Sequence, residues 1–155
     1  MQITDIYGIW QKMGHNPVGR WLFNRLIPLI NPYTGALKAE VLELNRGYAC
    51  LQLKDRRGIR NHLDSIHAIA LTNLGEFTSG LALLSLFTND MRGIPVEIKI
   101  NFIKKARGTL TANCTTQLAD FKNELEHTVV AIIKDSTADE VAIVNVIWKL
   151  GYKKN

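Results

Sequence analysis

An α+β domain, with antiparallel strands packed against one long helix, follows from three features of the 155-residue sequence. Two strand-like runs flank a tight-turn signal, a nearly all-apolar segment spans Ser65 to Phe87, and four further strand-like runs alternate with turns. A helix that is apolar on every side must be covered on most of them, and a six-stranded antiparallel sheet supplies that cover. With 46% hydrophobic and 21% charged residues the chain can bury one core, which excludes disorder, collagen and small disulfide scaffolds.

The elements follow in order. Residues 1–35 read as a helical extension and residues 36–155 as a single domain. In the extension, helical pieces are broken at His15-Asn16-Pro17 and again at Pro28, with Trp21, Leu22, Leu26, Leu29 and Ile30 near helical spacing. The basic, aromatic run from Arg20 to Leu26 also suits a membrane surface, but it is short and carries two charges, so packing onto the domain is favoured and no membrane partner is expected. Two strand-like runs follow Asn31-Pro32-Tyr33-Thr34-Gly35. Ala39–Leu44 and Tyr48–Leu53 form a hairpin across Asn45-Arg46-Gly47, where Asn and Gly tolerate positive φ. A polar, basic loop leads from Asp55 to His62 into the long helix. Val96, Ile98, Ile100 and Phe102 alternate with Glu97, Lys99 and Asn101, a half-buried strand. Thr109–Leu118, Thr128–Lys134 and Val141–Lys149 complete the sheet.

The net charge of +5 suits a phosphate-bearing partner, yet no aromatic platform accompanies the basic groups and nucleic acid is not expected. Cys50 and Cys114 sit apart in apolar stretches, as reduced core thiols do. The start at Met1 shows no basic n-region or apolar h-region, and Asn73 and Glu76 interrupt the one stretch long enough to suggest a membrane span. A cytoplasmic protein is expected. His62 and His67 are five residues apart and His15 and His127 are distant, so no metal site is expected. Phosphate-loop, dinucleotide and nucleophile-elbow patterns are absent.

The residues that carry chemistry cluster at the helix entrance, Asn61-His62-Leu63-Asp64-Ser65-Ile66-His67-Ala68-Ile69, with Glu76 further along. Ser65 is the expected N-cap, and the first-turn amides present a partial positive charge suited to an oxyanion. A carboxylate on an apolar helix is desolvated, which raises its pKa and makes it a base near neutrality. A structural carboxylate bonded to Asn73, Thr72 or a symmetry-related group is the other reading of Glu76. His67 equally caps the helix, and Asn61 and His62 equally satisfy loop backbone. Nine residues separate His67 from Glu76, roughly 13.5 Å and about 180° on a helix. Both reach one carbonyl only if Glu76 of one subunit meets the helix entrance of another, which needs at least a two-fold homodimer, with a tetramer left open.

The strand order and the segment Asn61, His67-Ala68-Ile69, Glu76 resemble the hotdog-fold thioesterase superfamily, in particular the phenylacetate-type acyl-CoA thioesterases and an uncharacterised bacterial branch sometimes fused to an acetyltransferase domain. The resemblance spans about Leu37 to Leu150. It implies hydrolysis of an acyl-CoA or acyl-carrier thioester, with Glu76 as general base or nucleophile, Asn61 and His67 as further catalytic positions and helix-start amides polarising the carbonyl. His62, Ser65, Ala68 and Ile69 are then substrate-binding, and Arg56, Arg57 and Arg60 contact coenzyme A, which enters as part of the substrate and not as a separate cofactor. Ala68 and Ile69 stand where that family commonly has glycines, and Glu76 where the phenylacetate type usually has Asp. A groove that binds acyl thioesters without turnover is the alternative function.

Overall fold

The computed structural model describes residues 6–153. Three helices come first, α1 (Ile6–Met13), α2 (Pro17–Ile30) and α3 (Pro32–Ala36), followed by β1 (Glu40–Asn45), β2 (Tyr48–Leu53), the long helix α4 (Ala68–Leu84), β3 (Met91–Phe102), β4 (Leu110–Thr115), β5 (Leu125–Lys134) and β6 (Glu140–Tyr152). The strands form one antiparallel sheet in the order β1-β2-β4-β5-β6-β3. The expected class and strand number stand.

Hairpin and helix arise as their residues dictate. Asn45 pairs with Tyr48, so Arg46 and Gly47 alone make the turn, with Gly47 at φ +75°. Its amide donates to Ser85 Oγ at 2.7 Å, tying the hairpin to the end of α4. Small residues on the inner face, among them Ala49, Ala112 and Ala131, let the helix lie close. The closest approach is at Gly75, where an added Cβ would stand 2.3 Å from Val144 Cγ2. Only a glycine fits there.

Two expectations are corrected. Pro28 does not break α2, because its fixed φ is helical and the helix runs only two residues further, to Ile30. The short helix α3 follows at once. Asn31 joins the two helices, its amide donating to Ile27 O and its Oδ1 accepting from the Thr34 amide. Nor is β3 half-buried. It pairs with β6 alone, its register shifts by one residue at Val96, and Ile94, Val96, Ile98 and Phe102 are all exposed. The alternation is real, since Ile98 lies opposite Val146 and Phe102 opposite Ala142 on the core face. The helix, however, covers the middle strands rather than this edge.

The extension packs where the sequence expects it. Phe23 and Ile27 of α2 join the common core, and Trp10 meets Phe23 edge-to-face with ring centroids 5.0 Å apart. Asn24 goes further and reaches β1. Its Oδ1 accepts from the Val41 amide at 2.7 Å and its Nδ2 donates to Val41 O at 3.2 Å.

Candidate functional site

The entrance to α4 is built by backbone hydrogen bonds. Asn61 Oδ1 accepts from the amides of Leu63 and Ser65 at 2.9 and 3.2 Å, closing a tight loop in which Asp64 takes φ +53°. Ile66 donates to Ala106 O and His67 to Ile59 O, each at 2.8 Å, so the loop is clamped from both sides. Ser65 is therefore buried and turned away from the helix, and its hydroxyl donates to Leu63 O. The N-cap is His67, not Ser65. Its Nδ1 accepts from the Ile69 amide at 3.1 Å, which leaves the ring proton of the neutral tautomer on Nε2.

Two of the helix-start amides expected to polarise a carbonyl, over His67–Ile69, are therefore occupied, His67 donating to Ile59 O and Ile69 to the His67 ring. Ala68 and Ala70 keep amides with no acceptor among the described residues. A pocket of about 270 Å³ opens beside them, lined by Asn61, Ser65, Ala68, Phe102 and Lys105 among others. Ile69 does not block it, since its side chain is 56% exposed and lies outside the pocket lining. His62 is exposed and also stands outside.

Of the three arginines expected on coenzyme A, two have structural partners. Arg56 donates to Ala36 O at 2.9 Å, and Arg60 pairs with Asp55 at 2.8 Å. Asp55 also accepts from the Gly108 amide, and these bonds hold its carboxyl below the usual carboxylate range. Arg57 is exposed. Lys104 is engaged by Asp135 and Asp139, which leaves Lys105 as the cation lining the pocket without such an ion pair.

Glu76 lies elsewhere, in a separate cavity of about 480 Å³. The walls are mainly apolar, with Phe77 and Leu81 of α4, Trp148 of β6, Pro95 of β3, and Ile6, Ile27 and Ile30 from the extension, while Asn31, Arg92 and Lys153 add polar groups. The Glu76 carboxylate has no hydrogen bond or ion pair within the described chain, and burial alone pushes its pKa up. Thr72 is not its partner, because that hydroxyl donates to Ala68 O. Asn73 is not either, since no hydrogen bond joins its side chain to Glu76 and its buried Oδ1 lacks a partner among the described residues. The chain thus brings Asn61, Ser65 and Ala68 together and keeps Glu76 apart from them.

Sequence reasoning missed the cavity around Glu76. Ile27 and Ile30 are three apart on α2, an ordinary core spacing, and nothing in it says that they wall the space in front of a carboxylate.

A six-stranded antiparallel sheet wrapped on one helix, with polar positions at the helix entrance and mid-helix, defines a hotdog-fold protein. Residues 19–150 match the family described as domain of unknown function DUF4442, and the chain belongs to that family. Among solved structures it is similar to the structural-genomics target APC5556, at 21% identity and TM-score 0.76 over 97% of this chain and 98% of that one. It is also similar to PA5026 from Pseudomonas aeruginosa, described as a probable thioesterase, at 19% identity and TM-score 0.74 over 86% and 95% of the two chains. The PaaI protein of the E. coli phenylacetic acid degradation operon matches at 17% identity and TM-score 0.69, over 88% and 94%. No curated protein matches the sequence significantly.

Proposed function

We propose that the protein hydrolyses acyl thioesters, with Glu76 as general base and the amides of Ala68 and Ala70 as the oxyanion site. The observation that carries this reading is the unpaired Glu76 carboxylate in a mainly apolar cavity large enough for an acyl group. In this mechanism the ionised carboxylate takes a proton from water, the hydroxide adds to the thioester carbonyl carbon, and the C–S bond breaks as the thiolate leaves and is protonated. The description of PA5026 as a probable thioesterase supports the class. Acyl-CoA and acyl-carrier thioesters are the proposed substrates, and the free thiols Cys50 and Cys114 suit a reducing cytoplasm.

The active unit we propose is a homodimer. α4 runs unbroken from Ala68 to Leu84, so Glu76 stands about 12 Å along the helix from the Ala68 amide, too far for both to act on one carbonyl within a subunit. The exposed apolar face of β3 supplies a pairing surface, and its last residue Phe102 and the following Ile103 border the entrance pocket. Pairing there carries a partner's helix toward that pocket.

Free-thiol release from short, medium, long and aromatic acyl-CoAs tests the reading. Wild-type turnover that Glu76→Gln abolishes supports it, and absence of turnover across the panel assigns the groove to binding alone. The rate should rise with pH along a limb above the ordinary carboxylate range, because only ionised Glu76 is a base. Stability runs the other way. A folded-state pKa raised above the unfolded value means stabilisation that is full at acid pH and lost as pH rises through the folded pKa. Glu76→Gln should therefore raise the melting temperature at neutral pH, and the gain should vanish by about pH 3, where glutamate is largely protonated in both states.

A further inference from the structure

Helix α2 carries apolar residues on both sides. Gly19, Phe23 and Ile27 are buried against the domain, while Val18, Trp21, Leu22, Arg25 and Leu29 form a stripe at helical spacing on the outer face. Val18 is 68% exposed, Trp21 56% and Leu29 78%, and Tyr33 of α3 continues the patch at 72%. A solvent-facing helix side is ordinarily polar, so this patch marks an interaction surface.

Charge identifies the occupant. From Ile6 to Ala39 the chain has Lys12, Arg20, Arg25 and Lys38 and no Asp or Glu. The Arg25 guanidinium lies 5.1 Å over the Trp21 ring. Arg20, Trp21, Arg25 and Lys38 also line a cavity of about 770 Å³ between α2, α3 and β1, and the one acid there, Glu40, is held by Lys54 at 2.9 Å. A second copy fits poorly, because a two-fold contact would set this cationic patch against itself. An acidic peptide answers the charges but leaves Val18 and Leu29 in water. An anionic bilayer answers both, accepting aromatic and aliphatic side chains at the headgroup boundary and pairing cations with phosphates.

We propose that α2 and α3 dock the protein on membranes rich in anionic lipid, with Trp21 and Leu29 inserted and Arg25 and Lys38 on the headgroups. Among the described residues no helix is long and apolar enough to cross a membrane, so the contact is peripheral. The inference goes beyond the thioesterase reading and does not depend on it.

Co-sedimentation of the full chain with phosphatidylcholine vesicles, with and without a third of phosphatidylglycerol, tests it. Trp10 and Trp148 are buried, so Trp21 dominates the emission response and should shift to the blue on binding. Binding should be about tenfold or more tighter on the anionic vesicles and fall with added salt. The double change Trp21→Ser, Leu29→Ser should weaken it at least about tenfold with an unchanged melting temperature, since both side chains are exposed. Arg25→Gln with Lys38→Gln should remove the preference for anionic lipid, and it decides the matter if the first variant folds poorly. No vesicle binding by the wild type overturns the proposal, as does binding that both variants retain. A loss of oligomeric mass in the Trp21, Leu29 variant with vesicle binding intact also overturns it and assigns the stripe to contact between copies.

Discussion

The two edges of the sheet are finished in opposite ways. At β1 the Asn24 side chain presents both an acceptor and a donor to Val41, standing where a neighbouring strand's peptide group would stand. At β3, twelve residues long, no strand among the described residues pairs on the outer side, and Ile94, Ile98 and Phe102 are exposed along it. An open apolar edge is normally a liability that proteins blunt with charge, proline or cover. Here one edge is blunted by a helix and the other is left pairable. The difference teaches how association is limited: a chain with a single pairable edge closes in a two-fold pair, whereas two such edges would propagate.

The strongest way to break this comparison is a charge on the open edge. Ile98→Lys should turn the proposed dimer into a monomer by sedimentation velocity and lower thiol release by more than about 100-fold, as expected if a desolvated contact of several kcal/mol is lost. A variant that stays paired with its rate intact moves the interface elsewhere. Next is the capped edge. Asn24→Leu removes both bonds to Val41 and should cost about 1–3 kcal/mol, visible in urea unfolding, with faster amide exchange at Val41 and a tendency to associate beyond the pair. Unchanged exchange at Val41 would show that α2 covers the edge without sealing it. The smallest effect belongs to the Lys54–Glu40 ion pair beside the same edge, whose side chains are 64% and 45% exposed. Lys54→Gln should change stability by less than about 1 kcal/mol. A larger loss would mean that charge, rather than the Asn24 amide, holds this side of the sheet.

Much of the scaffold was legible. Asn45-Arg46-Gly47 marks a hairpin because few residue types accept positive φ, and the apolar run after Ser65 admits little but a covered helix. Glu76 was legible for a related reason, as a lone carboxylate in an apolar helix has to be desolvated. The helix start was misplaced by two residues. Ser65 is the stronger cap by type, but Asn61 captures its amide and Ile59 captures that of His67, contacts that join residues across the loop. The exposure of β3 was hidden because alternation tells which residues share a face, never whether anything lies on it. Asn24 left no trace either. One amide side chain in a helix has no period, and its partner is 17 residues away on another element.

Gly75 links the packing of the sheet to the residue beside it. With room for no Cβ at position 75, α4 is pressed onto Val144, and the register that presses it also aims Glu76 at its cavity. A mutational drift experiment should therefore find an asymmetry between neighbours: position 76 tolerates Asp or Gln in a folded protein, while position 75 accepts almost nothing. The freedom to alter the chemistry of this helix is inherited from the immobility of the residue before it.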